Sequence, residues 1–532
     1  MAPVEKRYTE NLHTPGDPLR SAFNNNMKRL EPVLVTGATG YVGGRLVPRL
    51  LQAGYRVRAA GRSLDKLKSR PWATHPGIEL VVANALDLDS MMGAARGCWA
   101  AYYLVHSMQP GCRDFQAADR LAAQNLVAAA ETLSLERVIY LGGLGERESE
   151  LSHHLKSRSE VADILRSSKV PATILRAAMI IGSGSASFEI LRYLVDRLPV
   201  MITPRWVNTR CQPIAIRNVL NYLIGCLECQ ETAGKTFDIG GPDILSYRDL
   251  MELYQEQTGL KRRLVVGVPL FTPRLSSYWI HLVTPVPAYI AQPLAEGLRN
   301  PAVCQENAIK YLLPQELLNC QDAIRLAIDR LHQQQIESHW TDAGVIPPAE
   351  WHVPGDPHWS GGTVYEDRRR IIIHGTPEEV WQPVVRVGGR TGWYYGNWLW
   401  RLRGTLDKLS GGVGLKRGRR HESELAVGDA VDFWRVAAIA ANERLLLVSE
   451  MNLPGQAVLE FRLRRVADGL TELQQNALFM PSGLAGMLYW WAVSPFHALV
   501  FDGMLRGIAQ ATGRQIEKGP ERSEAVEPLT LA

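Results

Sequence analysis

The chain is predicted to fold as a doubly wound parallel α/β sheet with a small substrate lobe, followed by a separate α+β domain. Three observations carry this reading. Short apolar, β-branched runs alternate with helical stretches from residue 32 to residue 182, and the first run breaks into a glycine turn. The composition then shifts, because ten of the 14 tryptophans lie from Trp340 onward.

The bulk numbers agree with more than one domain. At 532 residues the chain exceeds one ordinary hydrophobic core, and 46% hydrophobic with 21% charged residues is a globular balance. A net charge of +5, from 59 basic and 54 acidic side chains, is too weak over this length to suggest a nucleic-acid partner. Seven cysteines at irregular spacing argue against a disulfide framework and fit a reducing, cytoplasmic compartment. Cys226 and Cys229 form a CxxC with no second pair or nearby His, so they read as structural thiols at a helix end and no metal is expected. Residues 1–29 are polar, without an apolar core of signal-peptide length, and read as a flexible tail.

The elements follow in order. "PVLVTG" is the first strand, "GATGYVGG" the turn and "RLVPRLLQAGY" a helix with apolar residues at helical spacing. "YRVRAAGR", "IELVVANALD", "AAYYLVHSM", "ERVIYLGGLG" and "PATILRAAMIIG" supply strands two to six, with the Ala-rich helix "DFQAADRLAAQNLVAAAETLS" between strands four and five. After Gly182 come the helix and short strands of the substrate lobe, so residues 30–340 form one nucleotide-binding unit. "GVIPPAEWHVPGDPHWSGG" is dense in Pro, Gly and Trp, and residues 341–362 read as a linker. Over 363–518, "RRRIIIHG" is a strand and "TPEEVWQPVVRV" a helix capped by Thr376 and Glu379. Four further strands lead to a helix broken at Pro495, and residues 519–532 read as a second tail.

Gly37-x-x-Gly40-x-x-Gly43, between a strand and a helix, is the fingerprint of a Rossmann dinucleotide site. Its glycines allow the tight turn, let a pyrophosphate approach backbone N–H groups, and let the helix pack close to the strand; Thr39, Tyr41 and Val42 complete the loop. Coenzyme choice is read at the end of strand two, where an acidic residue would bind the ribose 2′-hydroxyl. Gly61-Arg62-Ser63 stands there instead, with Lys66 one turn on, so NADP (NADPH) is favoured over NAD. Asn84 and Asp87 after strand three are candidates for the adenine.

With "VTGATGYVGG", "NLVAAA", "RVIYLGGL" and "ILRAAMIIG" in place, residues 30 to 310 resemble the atypical and extended short-chain dehydrogenase/reductase superfamily. "HLKSRSEVADIL" and "LVTPVPAYIAQPLAEGLR" resemble, more narrowly, a bacterial group of reductase-like proteins whose C-terminal extension has no known function. "GDAVDFWRV" and "GLAGMLYWWAVSPFHALVF" resemble that extension, whose order of elements is similar to START-like helix-grip domains.

The resemblance transfers the fold more readily than the catalytic set. The superfamily's Ser falls near Gly142 or Gly143, its Tyr at His154 and its Lys at Arg158. Positions four apart share a helix face, so His154 is the candidate general acid and Arg158 the candidate ribose-holding cation. Imidazole, titrating near ~6.5, can deliver a proton at neutral pH. His106 and Arg176 are secondary candidates at the nicotinamide end.

In the second domain Trp393, Trp398, Trp400, Trp434, Trp490 and Trp491 either line a cavity for a small hydrophobic ligand or form a Trp-rich core. Leu484 to Phe501 is an 18-residue stretch without formal charge, at the lower edge of membrane-spanning length, and reads as a buried helix or one lying at a membrane surface. The basic run Lys416-Arg417-Gly418-Arg419-Arg420 is a solvated loop or faces anionic lipid. Three functions remain open on these residues: an NADP(H)-dependent oxidoreductase with a hydrophobic substrate, a non-catalytic nucleotide-bound sensor or assembly factor, and a peripheral membrane lipid-binding protein.

Overall fold

The computed structural model describes residues 29–105, 115–145, 153–268, 280, 283–298, 300–329, 349–353, 355–357, 360–409 and 425–523. His106, the run Lys416 to Arg420 and the N-terminal tail lie outside these residues. The chain divides into two compact units, the first drawn mainly from residues up to Gly361 and the second from Gly362 onward.

In the first unit, strands and helices alternate as β1 (Val33–Thr36), α1 (Tyr41–Gln52), β2 (Val57–Gly61), α2 (Leu64–Lys68), β3 (Ile78–Val82), α3 (Leu88–Ala95) and β4 (Ala100–Tyr103). They continue as α4 (Phe115–Thr132), β5 (Arg137–Gly143), α5 (His153–Arg166) and β6 (Ala172–Ala177). Alternate residues of each strand enter opposite cores. Val33, Val35 and Ile139 pack with Leu46 and Leu50 of α1, whereas Leu34, Tyr103 and Val138 pack with Leu126 of α4. Burial on both faces explains why these strands are continuous apolar runs rather than alternating ones.

The substrate lobe adds β7 (Ile180–Ile181), α6 (Ala186–Arg197), β8 (Val200–Pro204), β9 (Arg210–Cys211), β10 (Ile214–Ala215), α7 (Ile216–Glu228), β11 (Thr236–Ile239), β12 (Leu245–Ser246), α8 (Tyr247–Thr258) and β13 (Leu264–Val268). Helices α9 (Ala288–Gly297), α10 (Ala308–Leu312) and α11 (Cys320–Ile328) follow. Three two-stranded pairs form the lobe, β10 with β7, β12 with β9 and β13 with β8. The main sheet runs β11-β6-β5-β4-β1-β2-β3 and is parallel throughout. Its seventh strand, β11, escapes a reading by hydrophobic pattern because Asp238 interrupts four residues. The carboxylate is accommodated in a buried position by Arg176 of β6, whose Nε donates to it at 2.7 Å. Strand order reverses on either side of β1, so the carboxyl end of β1 is the switch point at which doubly wound sheets bind ligands.

The stretch expected to be a linker is built into the first unit from Ala349 to Gly361. Its described residues form no regular element, as its Pro and Gly content implies, but they are anchored on a buried guanidinium. Arg45 of α1 donates through Nε to the Ala349 carbonyl at 2.9 Å and through Nη2 to the carbonyls of Trp351 and Ser183 at 2.7 and 2.8 Å. It also grips both oxygens of Asp356 at 2.8 and 2.7 Å. Burial pushes the Asp356 carboxyl up, but hydrogen bonds and charge from His352 and Arg45 outweigh this and draw it down to about 2. Glu350, fully buried, pairs with Arg217 at 3.0 Å.

The second unit is an antiparallel sheet in the order β15-β16-β17-β18-β19-β14-β20. Strand β14 (Tyr365–His374) precedes α12 (Pro377–Val385) and α13 (Asn397–Leu409). Then come β15 (Ala430–Val431), β16 (Trp434–Ala440), β17 (Arg444–Ser449), β18 (Gly455–Ala467), β19 (Leu470–Pro481), α14 (Gly483–Ala511) and β20 (Ile516–Arg522). The cap of α12 forms as its sequence implies, with the Thr376 N–H donating to Glu379 Oε2 at 3.1 Å. Two expectations are corrected. Helix α14 continues through Pro495, which sits on its exposed side, where the carbonyl freed by the missing N–H is not stranded in the core. The tail expected from residue 519 is instead the outer half of β20, paired to β14.

Replacing Asp356 by Ala leaves the Arg45 guanidinium buried without its counter-charge and is expected to lower unfolding free energy by about 3–5 kcal/mol, read from urea melts. A change below about 1 kcal/mol would show that the pair does not hold the 349–361 stretch.

Candidate functional site

The glycine turn has the geometry its spacing implies. Gly37 has φ +70°, and a Cβ there would lie 2.6 Å from the Leu104 carbonyl oxygen at the end of β4. A Cβ on Gly43 would overlap the carbonyl oxygen of Gly37, so any side chain at this position would push α1 off the strand. The Gly40 N–H closes the turn on the Gly37 oxygen at 2.9 Å. Gly40 is also the N-cap of α1 and offers no side-chain acceptor, which leaves the first-turn amides of Tyr41, Val42 and Gly43 for a ligand. A pyrophosphate fits this cradle of backbone N–H groups at a helix N-terminus.

Tyr41 contributes backbone alone. Its ring turns inward beneath Arg45, whose guanidinium carbon lies 4.2 Å from the ring centroid. Its buried hydroxyl faces Gly182 without a hydrogen-bond partner, and burial pushes the phenol far above its ordinary value. Sequence reasoning missed Arg70, which is buried just after α2 and donates through Nη2 to the Thr39 carbonyl of the loop. It places a cation directly behind the phosphate cradle. No local pattern marks it, because its partners are remote in the chain.

At the end of β2, Gly61-Arg62-Ser63 presents no carboxylate. Arg62 and Lys66 are exposed, and the Ser63 hydroxyl caps α2 by accepting from the Lys66 N–H at 3.3 Å. The residues expected at the adenine have local duties first. Asn84 Oδ1 accepts from the Leu86 N–H at 3.2 Å, and Asp87 Oδ1 caps α3 by accepting from the Asp89 N–H at 3.0 Å.

At the catalytic end, α5 carries position 154 in its first turn and Arg158 one turn later. Arg158 reaches the carboxyl end of β5, donating through Nη1 to the Leu141 carbonyl at 3.3 Å. The place of the superfamily's Ser is glycine and crowded by its neighbours. A Cβ on Gly143 would lie 2.9 Å from Leu155 Cδ2 and 3.2 Å from Arg158 Cδ, and one on Gly142 would lie 3.0 Å from Tyr140 Cε1. Arg176, expected near the nicotinamide, is instead ion-paired to Asp238 at 2.6 Å. Thus the structure groups the glycine loop with Arg70, sets Arg158 against β5, and turns Arg176 to β11.

Cys226 is buried, and burial pushes its thiol up to about 12. Arg137 caps the end of α7 beside it, donating to the carbonyls of Leu227 and Cys229 at 3.1 and 3.2 Å. Among the described residues no cluster of His, Cys, Asp and Glu is placed to hold a metal.

The six tryptophans of the second unit separate. Trp393 stacks on Trp400 at 5.0 Å and lies 6.2 Å from Trp434, all three in the core, while Trp490 stacks on Tyr365 at 5.3 Å. Trp398 and Trp491 point outward and line nothing internal. Beneath α14 lies a polar group: Arg369 bonds Asp502 at 2.7 Å and Asp367 at 2.9 Å, and His497 stands 3.7 Å from Asp367. Burial draws the His497 imidazole down to about 4, Asp367 opposing this and Arg403 and Arg369 adding to it.

Comparison with known proteins identifies a family for each unit. Residues 37–192 match the family described as NAD(P)H-binding, and residues 359–504 match a protein family of unknown function, DUF2867. The chain is 26% identical over 222 residues to the chloroplastic divinyl chlorophyllide a 8-vinyl-reductase of Zea mays, covering 40% of this chain and 55% of that protein. It is 22% identical over 242 residues to the photosystem II assembly factor Ycf39 of Cyanophora paradoxa, covering 45% and 72%. The chain spans about half the length of the plant vinyl reductases it matches. Among solved structures, the triphenylmethane reductase of Citrobacter sp. complexed with NADP(H) aligns with a TM-score of 0.46 at 18% identity, over 56% of this chain and 99% of that one. The first unit thus carries an NAD(P)H-binding Rossmann domain and the second a DUF2867 domain.

Gly143→Ser, which restores the superfamily's hydroxyl, is expected to cost about 1–3 kcal/mol of stability and to create no carbonyl-reducing activity, because the new side chain meets Leu155. Thermal melts together with carbonyl-dependent NADPH consumption check both halves. For His497, the folded value of about 4 lies below the ordinary 6.5. The unfolded chain therefore binds the proton more readily, and this stability is full above 6.5 and lost as pH falls through 4. Melting temperatures of wild type and His497→Leu, followed from neutral to acid pH, are expected to show a shallower acid decline in the variant.

Proposed function

We propose that the chain is an NADP(H)-dependent reductase whose substrate is hydrophobic and carries a conjugated double bond. The observation that carries this is the uncapped glycine cradle followed by a β2 corner in which Arg62 and Lys66 stand where a carboxylate would select NAD. When bound, the coenzyme supplies a hydride. Arg158, at the end of β5, is suited to hold the nicotinamide ribose, and His154, one turn earlier on the same face, to deliver the proton that completes the reduction. With glycine at 142 and 143, that corner provides no hydroxyl to polarise a carbonyl. A substrate whose own conjugation accepts the hydride needs none, and the similarity to a vinyl reductase supports that class. The helix α14 lying across an antiparallel sheet, in the manner of helix-grip domains, supports an apolar ligand for the second unit.

The same corner favours a second reading, a non-catalytic nucleotide-bound assembly factor, which the similarity to Ycf39 supports.

Two variants test the proposal against a panel of hydrophobic enones and vinyl-substituted aromatics. Arg62→Ala with Lys66→Ala is expected to weaken NADPH binding by about tenfold or more while leaving NADH little changed; equal losses for both would refute the coenzyme assignment. His154→Ala is expected to lower turnover about 100-fold or more without altering the NADPH Kd. Tight NADPH binding with no turnover by wild type across the panel would decide for the assembly-factor reading.

A further inference from the structure

Between Leu484 and Leu499 the outward side of α14 carries apolar residues alone. Leu488 is 54% exposed, Trp491 59%, Phe496 57% and Leu499 56%, with Leu484 and Pro495 beside them on the same face. These positions recur at three- and four-residue spacing, so they form one stripe along the helix. Ordinary surface helices turn charged side chains outward, and this one carries no formal charge from Leu484 to Phe501.

Spanning a bilayer is excluded by what the other side of α14 does. Phe501, Met504, Leu505 and Ile508 are part of the second unit's core, Trp490 is stacked on Tyr365 and Phe479, and Asp502 is bonded to Arg369 of β14. Drawing the helix into a membrane would empty the sheet's apolar face and take Asp502 away from Arg369. A helix so held can still lay its free side into the boundary between head groups and acyl chains.

Three features favour lipid over a protein partner. A protein interface needs a polar rim with hydrogen bonds, whereas the side chains of the stripe offer one polar atom, the Trp491 indole N–H, which suits the head-group level. Arg506, exposed, continues the face two turns beyond Leu499, where a basic side chain can meet an anionic head group. Helix α13 begins beside α14, the ring of Tyr395 packing against Gly503, and adds exposed Arg401 next to Trp398, which is 67% exposed. We infer that this face of the second unit is a membrane-surface docking site, taking an interface that contains anionic lipid.

The test uses the full-length protein and vesicles of phosphatidylcholine with and without phosphatidylglycerol. Wild type is expected to sediment with the mixed vesicles, and Leu488→Glu with Leu499→Glu to reduce that partitioning by about tenfold or more. Both positions are exposed, so the variant is expected to keep the wild-type near-UV circular dichroism and NADPH binding. Arg401→Glu with Arg506→Glu is expected to abolish the preference for the anionic vesicles. Should the leucine variant fail to fold, quenching of wild-type tryptophan fluorescence by brominated acyl chains gives the answer: quenching supports the site and its absence overturns it. The inference is also overturned if wild type stays in the supernatant with both vesicle types, or if the leucine variant binds as wild type does. Self-association removed by the leucine substitutions, without vesicle binding, would make the face a contact between copies and likewise overturn it.

Discussion

The first unit depends on one buried cation. Arg45 sits one turn into α1, directly behind the glycine cradle, and removing its guanidinium from water is costly unless its donors are used. They are used, on the Tyr41, Ser183, Ala349 and Trp351 carbonyls and on both oxygens of Asp356. These partners lie on three stretches of chain, α1 itself, the turn at Ser183 and the segment from Ala349 to Asp356, so the desolvation cost of one side chain is offset only when the three come together. That requirement fixes the pitch of α1 on β1, on which the pyrophosphate geometry of Gly37, Gly40 and Gly43 relies. Arg70 extends the same logic, since its guanidinium spans the Thr39 carbonyl of the loop and the backbone at Gly355.

This arrangement explains which parts of the fold were legible in the sequence. Strands β1 to β6 stand out because burial on two faces writes itself as continuous β-branched runs, and the glycine spacing is demanded by local sterics at Gly37 and Gly43. The Arg45–Asp356 pair joins residues far apart in the chain, and long-range pairing leaves no periodic trace. The anchored 349–361 stretch therefore read as a linker. Strand β11 was hidden by Asp238, whose burial is tolerable because Arg176 lies across from it in register and the Gln305 N–H donates to its other oxygen. Strand β20, "IEKGPER", is an exposed edge strand with charges and a proline, a composition that protects an edge from pairing and also resembles a tail.

The candidate site was legible by half. The spacing of His154 and Arg158 located α5 against β5, and the missing Ser could be read from the residues at 142 and 143. Sequence alone could not show how closely Leu155 and the stem of Arg158 crowd the place of that Ser.

The second unit poses the opposite problem, an apolar run that is easy to see and hard to assign. Leu484 to Phe501 satisfies the composition of a membrane span, a core helix and an interfacial helix alike. The polar group beneath α14 separates them. Arg369, Asp367 and Asp502 are charged side chains at the sheet–helix contact, and the Arg369–Asp502 pair ties α14 to β14. His497 lies in the same contact, edge-on to Trp490 and 3.7 Å from Asp367. Sliding or withdrawing the helix would bury unpaired charge, a larger penalty than any gain from inserting a few more apolar residues in lipid. The ion pairs therefore hold the inner face of α14 on the sheet and leave its outer face as the only apolar surface of the helix free to meet another phase.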